Sequence, residues 1–384
     1  MKRIKAGIVG TGYVGVSHIE AIRRIGFAEL AAVTDANVPL ARRKAEEYCV
    51  QHCYGSVDEL LADPEIQVVH NCTPNNLHME INEKVIRAGK HLLSEKPLAR
   101  SSEESGALLR LLEENPDVTA AVNFNYRMNP LVQEMRQRVK KGDIGRVTLV
   151  HGSYLQDWLL YDTDYNWRLE PEVCGVSRCV ADIGSHWMDA VQHITGSNIV
   201  EVCSDLVTVI PVRKKPNAQV ETFSVVKSAE CEKKPIFTED WGAVLFKMDS
   251  GAHGVFHVSE VSAGHGNFFN FEIDGSEASL AWNQQTADEM WMGFRDKDNL
   301  RVMRNPNSLS PEAKEYSYLA KGHPEGWNDA FKNSIQRFYN YIREGKHVKG
   351  EAPDFATFKE ADRLIRLTEA IVKSSRERRW IAVD

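Results

Sequence analysis

The fold of the first part of the chain is decided by residues 4–15, which read IKAGIVGTGYVG. An apolar run predicts a short strand, a glycine-rich turn follows, and a helical pattern begins directly after the turn. Gly10 permits the tight turn, Gly12 lets a pyrophosphate approach the backbone, and Gly15 lets the helix pack closely against the strand. Phosphate then lies at the helix N-terminus, on free amides and the positive end of the dipole. The stretch therefore predicts a dinucleotide-binding unit.

A carboxylate follows the next predicted strand, which covers residues 30–33. Asp35 lies about 20 residues after the glycines, where an acid receives the ribose hydroxyls of the adenosine. Its charge would repel a 2'-phosphate and so favours NAD over NADP, although a neighbouring Asn37, Arg42 or Arg43 could rescue a 2'-phosphate. Asp35 also fits a turn or a helix cap, and the sequence leaves that interpretation open.

Strands and helices alternate up to residue 122, which predicts a parallel, doubly wound α/β sheet. The expected helices cover residues 39–48, 57–62, 80–88 and 101–113, and the expected strands cover residues 67–72, 91–93 and 119–122. The carboxyl ends of the strands line the ligand crevice of such sheets. Four residues at these ends are therefore expected at the cofactor crevice: Thr73, Glu95, Lys96 and Asn123.

One of these residues stands out because a proline follows it. Residues 92–97 read LLSEKP, and the residue before a proline is held in extended geometry. Lys96 is therefore presented at the end of a strand, beside Glu95, with a fixed backbone. A charge in this position suits a crevice, although a surface lysine at a strand-to-helix turn fits the same residues.

After residue 124 the pattern changes to a helix and then to strands separated by turn residues, which is typical of an α+β domain with a mostly antiparallel open sheet. The helix is expected at residues 130–140, and the strands at residues 147–154, 200–209, 241–248, 254–261, 268–273 and 278–282. Residues 212–235 resemble a polar, lysine-containing loop. We predict a cofactor domain of residues 1–124 and a substrate-binding domain of residues 125–384, whose free sheet face suits the subunit interface of a homodimer or homotetramer.

Two titratable residues stand out in the second domain, Asp182 and His186. They are four residues apart, so on a helix they share one face. A carboxylate beside an imidazole orients the ring and raises its proton affinity, which produces a proton acceptor near neutral pH. A cap with a satisfied histidine explains the pair equally well. A metal site that adds Asp189 and His193 is disfavoured, because no unambiguous further ligands accompany them.

The composition argues against several classes of function. The chain has 384 residues and a net charge of -7, and it lacks the clustered basic face that would indicate nucleic-acid or acidic-membrane binding. The first apolar run is too short for a signal peptide, and no stretch reaches the roughly 18 apolar residues of a membrane span. Seven cysteines without metal-ligand spacing fit reduced thiols. We therefore expect a cytoplasmic protein without a metal that binds neither nucleic acid nor membranes.

The glycine turn, the Ser-Glu-Lys-Pro turn and the Asp182–His186 pair, in this order and spacing, resemble the Gfo/Idh/MocA family of oxidoreductases, of the glucose–fructose oxidoreductase and inositol dehydrogenase type. The resemblance covers essentially the whole chain and implies a Rossmann domain that binds NAD. By the same matching, Lys96 falls on the family's catalytic lysine, and Asp182 and His186 fall on its paired acid and base. The cofactor-binding residues that the resemblance implies are Gly10, Thr11, Gly12, Tyr13, Val14, Asp35, Thr73, Pro74, Asn75, His78, Glu95, Lys96, Asn123, Trp167 and Arg168.

The implied reaction is oxidation of a secondary alcohol on a sugar or cyclitol, or the reverse reduction. His186, oriented by Asp182, accepts the hydroxyl proton, and Lys96 donates a hydrogen bond to the same oxygen. Polar and aromatic side chains after residue 155 suit a polyol, although ring packing alone explains many aromatic residues. The expected substrate-binding residues are Lys96, Tyr126, Trp158, Tyr165, Arg168, Asp182 and His186.

The chain departs from the family pattern at residues 174–179, which read CGVSRC where many members carry a glycine cluster. The identity of the substrate therefore stays open. Two other functions also stay open: a hydrolase that oxidises and re-reduces a glycoside within one turnover, and a non-enzymatic sensor that binds the dinucleotide to regulate transcription. A sensor has no need of the complete set Lys96, Asp182 and His186, so the presence of that set favours a dehydrogenase.

Overall fold

The computed structural model of the chain describes residues 3–216, 231–346 and 350–383. Contacts divide the chain into two compact units, in which segments that are distant in sequence come together. The first unit comprises Met1–Phe124 and Phe331–Ile365, and the second comprises Asn125–Ala330 and Arg366–Asp384. No helix in the described ranges is long and apolar enough to cross a membrane.

The segment Phe331–Ile365 differs from the predicted domain division, which placed it in the second domain. Backbone pairing is the reason. Ala121 forms an antiparallel bridge with Thr357, and the Val122 N–H donates to the Ala356 carbonyl at 2.9 Å. The segment thus covers an edge of the first unit's sheet, which a pattern of local periodicity does not reveal.

The first unit contains the predicted parallel sheet. Its strands are β1 (Ile4–Val9), β2 (Ala28–Thr34), β3 (His52–Cys53), β4 (Val68–Asn71), β5 (His91–Ser94) and β6 (Ala120–Val122). They are ordered β3-β2-β1-β4-β5-β6, and neighbouring strands pair in parallel. The strand order reverses between β1 and β4, and ligands bind at such a switch point in doubly wound sheets.

The helices that connect these strands are α1 (Tyr13–Arg23), α2 (Val38–Glu47), α3 (Val57–Ala62), α4 (His78–Arg87) and α5 (Ser102–Glu113). Side-chain caps determine where some of them begin, because a polar oxygen satisfies a free amide of the first turn. Ser56 accepts from the Glu59 N–H, and Ser101 accepts from the Glu104 N–H. The sequence predicted α2, α3, α4 and α5 correctly to within two residues at each end, but it did not predict β3.

The second unit contains a larger sheet. The strands of this unit are β7 (Val147–Leu155), β8 (Ile199–Val207), β9 (Val212–Pro216), β10 (Cys231–Pro235), β11 (Trp241–Met248), β12 (His253–Ser259), β13 (Phe268–Gly275), β14 (Ser279–Asn283), β15 (Glu289–Gly293), β16 (Leu300–Met303) and β17 (Ile381–Ala382). Within the described residues the large sheet runs β16-β15-β14-β13-β7-β12-β11-β8-β17. Its pairs are antiparallel except for β7 with β12, which run parallel. The predicted mostly antiparallel sheet is therefore confirmed.

The prediction of a loop over residues 212–235 is wrong where the structure describes it. β9 and β10 pair antiparallel as a separate two-stranded ribbon, and residues 217–230 lie outside the described residues. Ion pairs stabilise the positive charges of the β9–β10 ribbon: Lys215 and Lys234 both contact Glu170, and Lys214 contacts Asp162. The lysines that suggested a loop therefore belong to paired strands.

Helices cover one face of the large sheet. α6 (Pro130–Lys141) and α8 (Ser185–Thr195) pack on it. The other helices of this part are α7 (Pro171–Cys174) and α9 (Pro311–Lys314), and α10 (Trp327–Arg343) and α11 (Phe358–Glu377) contribute to both units. Trp187 of α8 stacks on Phe256 of the sheet, with ring centroids 4.6 Å apart. Leu149, Leu245 and Val255 remain exposed, so the sheet has a free face, as predicted.

Candidate active site

The glycine turn has the geometry that its sequence predicts. Gly10 has φ +94°, and a Cβ there would lie 2.7 Å from the Cys72 carbonyl oxygen. A Cβ on Gly15 would lie 2.2 Å from the Gly10 carbonyl oxygen, whereas a Cβ on Gly12 would have no atom within 4 Å. The fold therefore requires glycine at the first and third positions. Gly12 faces open space at the start of α1, where a pyrophosphate can approach the amides.

Asp35 connects two turns of the first unit. Its Oδ2 accepts from the Thr11 N–H at 2.6 Å and from the Thr11 hydroxyl at 3.0 Å. Its Oδ1 accepts from the Asn37 N–H at 2.9 Å, and Asn37 in turn caps α2 by accepting from the Leu40 N–H. The turn interpretation of Asp35 thus holds in the structure. Its contact with a ribose stays a prediction.

Glu95 and Asn123 lie together at the ends of β5 and β6. Glu95 is 6% exposed, and its Oε1 accepts from Asn123 Nδ2 at 2.7 Å and from His18 Nε2 at 2.9 Å. Burial by itself would raise the pKa of Glu95, but the hydrogen bonds from His18 and Asn123 and the nearby charges lower it. The buried Asn123 Oδ1 has no hydrogen-bond partner in the part of the chain that the structure describes. A ligand with a donor group can satisfy this oxygen.

Thr73 and His78 lie in and after the turn that follows β4. The Thr73 hydroxyl donates to Asn71 Oδ1 at 2.7 Å. His78 is fully buried, with Nδ1 2.6 Å from the Pro97 carbonyl oxygen and Nε2 2.9 Å from the Thr73 carbonyl oxygen. Burial lowers the pKa of His78. His78 therefore holds the turn after β4 against the turn after β5, with both ring nitrogens already engaged.

Sequence reasoning missed three buried residues that extend from Glu95. His18 Nδ1 lies 2.7 Å from His70 Nδ1, and His70 Nε2 lies 2.8 Å from the Tyr339 hydroxyl. We call Glu95, His18, His70 and Tyr339 the histidine chain. A signal was present in the sequence, since His70 interrupts an apolar strand, but nothing local identified its partners.

Asp182 pairs with an arginine in the second unit. It lies in a π-helical turn, Val180–Gly184, directly before α8, whereas the sequence analysis assumed regular helical spacing. Arg168 Nε is 3.2 Å from Asp182 Oδ2. The Arg168 guanidinium lies over the Trp167 ring at 4.2 Å and near the Trp158 ring at 5.9 Å. Single π turns inside helices occur frequently at functional sites.

Aromatic rings surround His186. His186 is 7% exposed, and the Tyr126 ring meets it edge-on with centroids 5.0 Å apart. The Tyr126 hydroxyl lies 2.8 Å from the Tyr154 hydroxyl, which donates to Asn267 Oδ1 at 2.7 Å. Gln156 Nε2 donates to the same Asn267 oxygen at 3.1 Å. We call Tyr126, Tyr154, Gln156 and Asn267 the hydroxyl network, and it places several donors and acceptors beside an imidazole.

Tyr165 and Trp158 pack into a small apolar cluster. They contact the buried Leu159, Leu169 and Ile236. The Tyr165 hydroxyl donates to Glu170, and burial together with this bond raises the pKa of Tyr165. Ring packing, the alternative to substrate binding, therefore explains most contacts of Tyr165 in the structure. Contact of Tyr165 with a substrate stays a prediction.

Two groups that resemble metal ligands have other partners. Asp189 accepts two hydrogen bonds from Arg127, and Nε2 of the half-buried His193 lies 3.0 Å from Gln133 Nε2. One further group of three possible ligands occurs within the described ranges, formed by His151, Glu272 and Asp274. His151 Nε2 lies 3.5 Å from Asp274 and 4.0 Å from Glu272, so contacts among the three side chains account for this group.

Comparison with known families covers both units. The model of the oxidoreductase family with an NAD-binding Rossmann fold matches residues 4–124, and the model of the GFO/IDH/MocA C-terminal domain matches residues 132–281. The chain belongs to the Gfo/Idh/MocA family. It is an oxidoreductase with an NAD-binding Rossmann domain, as the sequence predicted.

Relatives of this Gfo/Idh/MocA chain match along its full length. Levoglucosan dehydrogenase of Pseudarthrobacter phenanthrenivorans is 28% identical over 405 residues, covering 100% of this chain and 99% of that protein. A solved structure of levoglucosan dehydrogenase in complex with NADH and levoglucosan is 26% identical, with a TM-score of 0.87 and 100% of both chains covered. An oxidoreductase domain protein from Kribbella flavida is 27% identical, with a TM-score of 0.89 and the same coverage.

Proposed function

We propose that this chain uses NAD to oxidise a secondary hydroxyl of a sugar, a sugar derivative or a cyclitol, or catalyses the reverse reduction. The observation that carries the proposal is the surroundings of His186. A buried imidazole lies beside the hydroxyl network, and Asp182 nearby in sequence is paired with Arg168. Full-length similarity to levoglucosan dehydrogenase supports the same class of substrate.

The residues of the first unit fit NAD. Gly12 leaves open space beside the N-terminus of α1 for the pyrophosphate. Asp35 presents a partly exposed carboxylate for ribose hydroxyls, and the buried Asn123 Oδ1 can accept a hydrogen bond from the carboxamide of the nicotinamide. Bound NAD supplies the hydride acceptor.

His186 is the proposed base of the reaction. It accepts the proton of the substrate hydroxyl while the hydrogen on the same carbon leaves with its electron pair. Asp182, whose orientation Arg168 fixes, supports the resulting imidazolium. Lys96 donates a hydrogen bond to the same substrate oxygen and stabilises negative charge on it as the carbonyl forms. The reverse reduction runs through the same residues, with His186 as the acid.

The substrate class follows from the chemistry around His186. A polyol offers several hydroxyls that both donate and accept, and the hydroxyl network provides matching groups. The faces of Trp158 and Trp167 suit the CH groups of a sugar ring. Levoglucosan is the first substrate to test, because a relative that matches along the full length carries its name.

Absorbance of reduced nicotinamide tests the proposal. The chain would be mixed with NAD or NADP and with levoglucosan, L-sorbose, myo-inositol, scyllo-inositol or glucose. We expect a signal with NAD and one of these compounds that Lys96→Met abolishes. Lys84→Met is the matched control, because Lys84 is a half-exposed lysine of the same unit that pairs with Asp58 and Glu80. Silence across the panel while NADH still binds would overturn the proposal.

A further inference from the structure

The histidine chain connects a remote part of the sequence to the turn that carries Lys96. Its three contacts, between Glu95 and His18, His18 and His70, and His70 and Tyr339, measure 2.9, 2.7 and 2.8 Å. His18, His70 and Tyr339 are each 0% exposed. They come from α1, β4 and α10. The contacts therefore connect three elements of the first unit in a line that ends at Glu95.

We propose that Tyr339 is a positioning residue that acts through His70 and His18 to hold Glu95 as an anion in a fixed orientation beside Lys96. This inference deepens the proposed function and rests on it only where Lys96 is assigned a role in catalysis.

The contacts permit one arrangement of hydrogens in which every group of the chain is satisfied. A Glu95 carboxylate only accepts, so His18 Nε2 carries a hydrogen. One hydrogen lies between the two Nδ1 atoms, and when His18 is neutral it belongs to His70. His70 Nε2 then has a lone pair, and the Tyr339 hydroxyl donates to it. The hydroxyl of Tyr339 therefore favours a neutral His18 next to an ionised Glu95.

A proton added to His18 reverses this order. His18 Nδ1 would then donate to His70, and His70 Nε2 would donate to the Tyr339 oxygen. The Tyr339 hydrogen would be left without an acceptor, because its hydroxyl has no second hydrogen-bond partner in the described part of the chain. A buried hydrogen without an acceptor is costly. Tyr339 thus lowers the affinity of the His18–Glu95 pair for a proton.

Other groups also contact or face the His18–Glu95 pair. Asn123 Nδ2 and the Lys96 N–H donate to the Glu95 carboxylate, at 2.7 and 3.2 Å. Cys72 and His78 also face Glu95, and burial raises the pKa of the Cys72 thiol and lowers that of His78. Burial and then the neighbouring His18 lower the pKa of His70. Phe331 meets the His18 ring edge-on at 5.0 Å and does not titrate. The positive charge of Lys96 also faces Glu95 and lowers its pKa.

The experiment compares Tyr339→Phe with Tyr341→Phe. Tyr341 lies on the same helix, and its hydroxyl donates to the Glu351 carbonyl at 2.6 Å, outside the histidine chain. The affinity for NADH would be measured by fluorescence between about pH 5 and pH 9, around the ordinary pKa of histidine. We expect Tyr339→Phe to move the midpoint of the pH dependence upward by about one unit, while Tyr341→Phe keeps the wild-type midpoint.

Nitrogen-15 NMR of histidine-labelled wild-type protein provides a test that needs no variant to fold. We expect His18 as the neutral Nε2–H tautomer and His70 as the Nδ1–H tautomer at neutral pH. The opposite tautomer of His70, or an unmoved midpoint in a folded Tyr339→Phe, would overturn the inference. Neither readout involves a sugar, so failure of the proposed function with every substrate would leave both results interpretable.

Discussion

Arg168 Nε lies 3.2 Å from Asp182 Oδ2, and this ion pair connects the aromatic loop after β7 to the π turn before α8. The Arg168 guanidinium also lies over the Trp167 ring, 4.2 Å from its centroid. An arginine that both stacks and pairs is geometrically restrained. The orientation of Asp182 is therefore determined by a residue that the sequence analysis assigned to cofactor and substrate binding.

Loss of this ion pair is expected to weaken catalysis. Arg168→Gln should lower kcat/KM by about 10- to 100-fold, because a hydrogen bond to a charged group contributes about 1.5–3 kcal/mol. The measurement is the initial rate of NADH formation with the sugar that gives a signal. Lys214→Gln is the control, since Lys214 forms an exposed pair with Asp162 and such pairs contribute little. Equal rates for wild type and Arg168→Gln would refute the importance of the pair.

Gly12 should be required for cofactor binding but not for folding. Gly12→Ala adds a methyl group that meets no protein atom within 4 Å, so the thermal unfolding midpoint should stay close to that of wild type. Affinity for NADH should fall at least about 10-fold, because the methyl group occupies space that the pyrophosphate needs. Gly26→Ala is the matched control, with equally open surroundings. Unchanged NADH affinity in Gly12→Ala would show that the pyrophosphate does not bind beside Gly12.

Asp35 should determine the preference for NAD. Asp35→Asn removes the negative charge that repels a 2'-phosphate, so the ratio of NADP to NAD affinity should rise on the order of 10-fold. Stability should fall by about 1–3 kcal/mol, because Asp35 accepts bonds from Thr11 and Asn37. Thr11→Val is the control: it removes the hydroxyl bond to Asp35 and leaves the charge in place. If both variants shifted the ratio equally, the charge would not be the cause.

Glu260 should make stability depend on pH. Burial, with Asp182 adding to it and Arg178 opposing it, raises the pKa of Glu260 from 4.5 to about 8 in the folded protein. Between these values the folded state keeps a proton that the unfolded state releases. Stability should therefore decrease as pH rises through this window, by at most about 1.4 kcal/mol per pH unit.

Urea unfolding from about pH 5 to pH 8 measures this effect in the wild type and in Glu260→Gln. The variant cannot titrate at residue 260, so its stability relative to wild type should rise with pH. Glu277→Gln, which changes an exposed carboxylate, should run parallel to wild type. Parallel curves for Glu260→Gln would show that Glu260 does not hold the proton.

Local patterns in the sequence were sufficient for the elements whose burial is periodic. Strand Trp241–Met248 alternates buried and more exposed side chains, and helix Val57–Ala62 begins at a serine cap, so both were predicted with the bounds observed. The ribbon of Val212–Pro216 and Cys231–Pro235 was not, because its lysines are stabilised by acids elsewhere in the chain. The parallel pairing of β7 with β12 also leaves no local trace.

The candidate site likewise has a part that local patterns predict and a part that they do not. Spacing and neighbouring residues singled out Lys96, Asp182 and His186, since those patterns are short and local. Their surroundings depend on distant segments. The hydroxyl of Tyr339 reaches His70 across 269 positions, and no pattern within a helix or strand encodes such a contact.

The most direct test of the central claim is the identity of the product. The chain would be incubated with NAD and its sugar substrate, and carbon-13 NMR of the product would be compared with the NADH formed, using His186→Asn as the inactive control. We predict a ketone at a secondary carbon, with one NADH formed for each ketone, and a loss of about 100-fold or more in the variant. A released sugar without net NADH, or oxidation at an anomeric carbon to a lactone, would contradict the account.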